Sequence, residues 1–224
     1  MSFVLIEIRS CADDRHQSCE RPGAAARLSA MRLTQAESER NRKQILKAAG
    51  RLFRERGFDG VGVDGLMKGA GFTHGGFYNH FASKAELEAE ASAAGTAQAK
   101  AALVESLSDL RRDAWERFVR GYLSAKHRGD PAGGCTLGGL AADAARRGPT
   151  VQASFAEAVE GMAGALADYL ARKPSRGKRA RARRERALQM LSELVGALVL
   201  ARAVAAADPA LSDEILAANR RGLR

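Results

Sequence analysis

The chain has 224 residues, 46% of them hydrophobic and 28% charged, with a formal net charge of +10. That length supports one or two small domains with a real core, and the composition is ordinary for a soluble globular protein. The positive balance favours polyanionic partners, nucleic acid ahead of an anionic membrane surface.

Cys11, Cys19 and Cys135 are too few and too unevenly spaced for a disulfide framework or a paired metal site, which fits a reducing, intracellular setting. The opening "MSFVLIEI" meets charge too soon to be a secretory signal, and no apolar run approaches the ~20 residues of a membrane span. A cytoplasmic protein without cofactor or metal is expected.

Residues 1–33 lack a sustained period and read as a disordered arm in which His16 and Cys19 are incidental. Met31, beside the first patterned segment, is an alternative start. From Thr34, Ile45, Ala48, Ala49, Leu52 and Phe53 recur at helical spacing, while Arg42, Lys43, Lys47, Arg51 and Arg54 point elsewhere. Gly57 closes this helix, and Phe58 folds back on its last turn. A second short helix runs from Val63 to Ala70. After a tight turn at Gly71, Thr73 caps a third through its hydroxyl, over about Thr73 to His80. Ser83 and Glu86 then form a capping box for a fourth helix.

Every later pattern is also helical. Trp115, Phe118, Val119, Tyr122 and Leu123 share one face, and Gly129 to Gly139 reads as a bend. Pro149 opens a helix carrying Phe155, Val159, Met162, Leu166 and Tyr169 or Leu170. The stretch Arg172 to Arg186 reads as a basic linker, because positive charge at a helix N-terminus opposes the macrodipole. The last long helix, Glu185 to Ala206, bears leucines and valines on more than one side. A shorter helix with Leu211, Ile215 and Ala218 follows. The fold is all-α: a three-helix unit over 34–83, then a helical bundle over 84–224.

Three short helices with a tight turn between the second and third have the layout of a helix-turn-helix DNA reader. Gly75 and Gly76 offer bare backbone to base pairs or phosphates, and Phe77 and Phe81 anchor the buried side. Thr73, His74, Tyr78 and Asn79 are polar groups for base edges or phosphates, with His80 and Lys84 as phosphate clamps.

Residues Ile45 to Leu87 resemble the DNA-binding domain of the TetR/AcrR family of bacterial transcriptional regulators. The residues that carry the resemblance are Ala48, Ala49, Leu52, Phe53, Gly57, Phe58, Ala70, Gly71, Thr73, Tyr78, Phe81, Lys84 and Leu87. Two positions depart from the family pattern. Gly62 stands where Ser or Thr commonly caps the second helix and touches a phosphate, and His74 stands where Lys is frequent. Operator affinity that is modest or pH-sensitive is the consequence.

The resemblance implies a homodimer on a palindromic operator, joined through the last two helices, and a small-molecule or reactive effector that releases a repressor from DNA. Trp115, Phe118, Tyr122, Cys135, Phe155 and Met162 are candidates for the effector pocket, Cys135 as a thiol open to electrophiles or oxidants. Two other readings compete. One is a small all-α enzyme, for which no nucleophile motif, metal cluster or phosphate loop is present. The other is a basic adaptor at a membrane surface, whose lipid binding would ignore Tyr78→Ala.

Overall fold

A computed structural model describes residues 24–109, 113–172 and 178–223, and these contain helices and no strand. Nine α-helices are found among the described residues: α1 Ala24–Arg56, α2 Val63–Gly69, α3 Lys84–Ser108, α4 Ala114–Tyr122, α5 Ala125–Gly129, α6 Thr136–Ala144, α7 Pro149–Leu170, α8 Lys178–Val204 and α9 Pro209–Gly222. A 3-10 turn, His74–Asn79, lies between α2 and α3. The chain divides into two compact units, Met1–Glu39 and Arg40–Arg224.

In the first unit, helix begins at Ala24, inside the segment expected to be an arm. The run AAARLSAMRL is rich in strong helix formers, which explains the earlier start. Residues 1–23, with His16 and Cys19, lie outside the described residues.

In the second unit, α1 ends as the sequence predicts. Gly57 has φ 75° and Gly71 φ 82°, a left-handed region that side chains disfavour. Phe58 folds back edge-on to Phe53, with ring centroids 5.1 Å apart. Ile45, Phe53, Phe58, Leu66, Met67, Phe77 and Phe81 are fully buried in one core.

Further along, α3 packs on α7, α7 on α8 and α8 on α9. Leu103, Met162, Leu166, Leu194 and Leu198 fill the space between them. Three expectations are corrected here. The bend is confined to residues 130–135, because Thr136 already opens α6. The last long helix starts at Lys178, well before Glu185. Its arginines are offset by carboxylates: Arg181 pairs with Glu185 at 3.0 Å, and Arg184 grips Glu160 with two bonds of 2.7 and 2.6 Å. Finally, α9 buries Ser212 and Leu216, so Leu211 and Ala218 face outward.

Residues Ala180–Val204 are long and apolar enough to cross a membrane by length and composition, contrary to the expectation of no such run. Ala187, Met190, Leu194, Leu198 and Ala201 of this helix are nonetheless buried in the protein core. Truncation of the fully buried Phe53 tests the N-terminal packing. Phe53→Ala should lower the unfolding free energy by about 3–5 kcal/mol in urea titrations, the range for emptying a buried aromatic site.

Candidate nucleic-acid interface and effector pocket

The reading module is built around Arg42. From α1 its guanidinium makes two bonds to Glu90 of α3, 2.5 and 2.6 Å, and lies 4.6 Å from the Phe81 ring centroid. Its Nε also donates to the His80 carbonyl at 3.4 Å. Nearby, Gln44 donates to the Ala70 carbonyl at 2.9 Å and so braces the end of α2. The sequence placed Arg42 on the solvent side, since helical period alone does not show that a partner waits on α3.

The third helical element is a 3-10 turn. Gly76 N–H donates to the Thr73 carbonyl at 3.1 Å, and His80 N–H to the Phe77 carbonyl at 2.9 Å. Thr73 is the N-cap by position only; its hydroxyl makes no capping bond, correcting that expectation. The tighter i to i+3 pattern uses the carbonyl instead. The capping box at α3 holds in altered form. Glu86 N–H donates to Ser83 Oγ at 3.2 Å, while the Glu86 carboxylate takes the Ala82 N–H at 2.6 Å.

Around this turn, Thr73, His74, Gly75 and Asn79 are exposed, and Tyr78 is 69% exposed. A Cβ on Gly75 would meet nothing within 4 Å. Gly76 differs: its Cβ would lie 3.6 Å from Met67 Cε, so it faces α2. Only one of the two glycines therefore offers bare backbone outward. His74 Nδ1 lies 3.9 Å from Asp64, an ion pair only when the imidazole is protonated. Gly62 caps α2 without a side-chain bond and has open space around it.

Two expected clamps are placed differently. Lys84 Nζ donates to the Phe58 carbonyl at 2.5 Å and lies 3.7 Å from Glu88, which turns it inward. His80 is half-buried, and its Nδ1 has no hydrogen-bond partner among the described residues. Lys68 of α2, by contrast, is exposed in the same module and was not singled out.

The family described as bacterial regulatory proteins, tetR family, matches this chain at residues 45–91, the module just described. The chain is a TetR-like DNA-binding transcriptional regulator. Many solved structures share its fold, among them the following three. The reduced form of NemR from E. coli is 20% identical with a TM-score of 0.68, covering 82% of this chain and 95% of that one. A TetR-family regulator from Cytophaga hutchinsonii is 19% identical with a TM-score of 0.66, covering 84% and 94%. One from Chloroflexus aurantiacus is 19% identical with a TM-score of 0.67, again covering 84% and 94%. Among curated proteins nothing matches.

In the C-terminal part of this TetR-like chain, a pocket of about 240 Å³ brings together Phe118, Tyr122, Cys135 and Met162 with Arg54 and His127. Trp115 and Phe155 do not line it. Trp115 is core, donating from Nε1 to the Leu223 carbonyl and stacking on Phe118 with centroids 5.8 Å apart. Phe155 is buried in the same apolar cluster.

The pocket's polar side is ordered. Cys135 N–H donates to His127 Nε2 at 3.0 Å, so the ring proton sits on Nδ1, which faces the Tyr122 carbonyl at 2.7 Å. Burial pushes the His127 pKa down, helped by the Arg202 charge and opposed by the Tyr122 carbonyl. Burial also raises the Tyr122 phenol well above its ordinary value, and neighbouring Cys135 adds to the rise. No hydrogen bond of proper geometry reaches that hydroxyl from the described residues.

The depressed His127 pKa sets a pH dependence. The unfolded imidazole binds its proton near pH 6.5, whereas the folded one refuses it until lower pH. Stability tied to His127 is therefore present above about pH 6.5 and lost as pH falls below it. Urea titrations between about pH 5 and 7.5 should show that slope, and His127→Gln, which can still accept from Cys135, should flatten it.

Proposed function

We propose that the protein is a repressor that binds a palindromic operator as a homodimer and leaves it when a small molecule fills the C-terminal pocket. One observation carries the DNA-reading part: Thr73 to Asn79 form an exposed, partly bare turn raised on the buried Phe77 and Phe81. Side chains at Thr73, His74, Tyr78 and Asn79 meet base edges or phosphates there, with Gly75 as the point of closest approach. Gly62 adds only its backbone N–H.

The dimer is assigned to α8 and α9. Val199 and Leu200 of α8 and Leu211 of α9 are exposed, Leu200 at 58%, and Ala218 continues the apolar surface. Such a surface suits an isologous two-fold contact, which would match the symmetry of the operator. Its cellular location is then the cytoplasm, where the DNA is. The Cys135 thiol is shielded from bulk solvent but lines the pocket, so an effector that reacts would have to enter the pocket first.

DNA upstream of the protein's own coding region is the natural target for a footprint. Gly75→Leu should keep the wild-type melting temperature and weaken specific binding by about tenfold or more, the cost of one lost base-reading contact. Tyr78→Ala should change stability by less than about 0.5 kcal/mol and also lose specific binding. Gly76→Leu should instead destabilise the fold through Met67. Unchanged operator affinity in both Gly75→Leu and Tyr78→Ala would overturn the assignment. For the dimer, Leu200→Glu should give monomers in sedimentation and lose operator binding while the chain stays helical.

A further inference from the structure

We propose that the C-terminal pocket takes a small organic monocarboxylate, its apolar body against Phe118 and Met162 and its carboxylate on the Arg54 guanidinium, in place of the bond from Arg54 to Ala132. The inference deepens the regulator reading above and rests on it.

Arg54 lies half-buried in the pocket wall, one residue after the fully buried Phe53. Its Nε and Nη2 both donate to one neutral acceptor, the Ala132 carbonyl, at 2.9 and 2.5 Å. None of the described ion pairs involves it. A guanidinium fork matches a carboxylate with two parallel bonds, roughly twice as strong as bonds to neutral groups. Asp130, on the same loop, is exposed and already accepts the Gly133 N–H at 2.9 Å.

Two buried hydroxyls beside the pocket also have unused hydrogen-bonding capacity. Thr136 Oγ1, on a residue only 1% exposed, has no hydrogen-bond partner among the described residues, and Tyr122 Oη has only the neighbouring Cys135 thiol. Thr136 Oγ1 and Arg54 Nη1 crowd the same point, where a Cβ on the pocket residue Gly95 would fall. Buried polar atoms left unbonded in a folded protein are uncommon and point to an absent ligand or water. Hydroxyls beside an arginine fork suit an oxyanion.

The approach is cationic too. A second pocket of about 320 Å³ shares Arg54, Gly95, Gln98 and Gly133 with the first and is flanked by Lys43, Lys47 and Arg51. All three are exposed, and clustered positive charge raises the local concentration of anions. The ligand's charge and size follow. One guanidinium in the wall balances one negative charge, whereas a dianion would leave charge desolvated and unpaired. A volume of about 240 Å³ is below the ~300–1,000 Å³ of drug-sized sites, so the body is a short chain or a single ring.

Trp115, the chain's one tryptophan, stacks on the pocket residue Phe118 and supplies the signal. Octanoate and phenylacetate, each titrated to about 10 mM into the full-length protein, are compared with octanamide and phenylacetamide; millimolar affinity is visible in that range. At least one acid should shift Trp115 emission, raise the melting temperature and release operator DNA, and its amide should do none of these. Arg54→Gln should weaken the acid by about tenfold or more, consistent with loss of a charge-assisted pair, and Arg54→Lys should retain part of the affinity if Arg54→Gln does not fold. Amides equal to acids, acid affinity unchanged in a folded Arg54 variant, or silence from both acids would each overturn the inference. Specific operator binding with no acid response would sink this proposal alone, whereas no specific operator binding would sink the regulator reading beneath it.

Discussion

Everything proposed for the N-terminal module depends on the complete burial of Phe77 and Phe81 against the α1–α2 core. A six-residue 3-10 turn with adjacent glycines has little intrinsic order, since each glycine costs roughly 0.5–1 kcal/mol relative to alanine. Each buried phenylalanine returns about 1.5–3 kcal/mol, enough to offset both glycines. Arg42 adds direction by lying over Phe81 while it holds Glu90 of α3 and the His80 carbonyl. The turn is thereby fixed at its buried side and left open at its outer one. That division lets Gly75 and Tyr78 be exposed without being loose.

A second set of constraints joins this module to the bundle. Lys84 reaches the Phe58 carbonyl and Glu88, and Arg147 reaches both Glu88 and Asp59, at 3.1 and 2.7 Å. Burial raises the Glu88 pKa even though Arg147 and Lys84 both pull it down, so the carboxylate is held at a desolvation cost. A buried charge of this kind fixes geometry more than it adds stability. Removing either cation would leave Glu88 short of a partner, so shared charges add to the continuous apolar core in holding the two parts in one arrangement. A junction of that type can change state when a single contact is exchanged.

The all-α fold was legible because the apolar positions keep helical period from Ile45 to Leu216, and because Gly57, Gly71 and Ser83 mark ends with local chemistry. The reading turn was legible in place but not in form. Whether Thr73 to His80 closes as α-helix or 3-10 depends on which acceptor Gly76 N–H finds, and here it is the Thr73 carbonyl. Lys84 and Arg42 were misplaced for one reason: their partners, Phe58 and Glu90, lie 26 and 48 residues away, beyond any local pattern. The pocket was half legible. Phe118, Tyr122, Cys135 and Met162 meet there, but Trp115 and Phe155 differ from them only in which side of the helix the pocket opens. Arg54 had no signal in the sequence, being one of several arginines on α1.

On the proposed mode of ligand binding, that arginine would give the two halves a short path along which to exchange information. Arg54 and Phe53 are neighbours on α1, yet they face different environments: Phe53 the aromatic core under the reading turn, Arg54 the loop that walls the pocket. A helix segment is stiff, so any backbone shift at Arg54 that accompanies the exchange of Ala132 for another acceptor would be shared by its whole turn of helix. Phe53 would then press on Phe58, whose carbonyl is the acceptor that holds Lys84 at the start of α3. The path consists of packed rings and one ammonium, with no flexible linker in it. Tightly packed interiors transmit small displacements because they have few voids to absorb them. A ligand can use that path only if it binds one arrangement better than the other, and an acceptor that competes for Arg54 has such a preference built in.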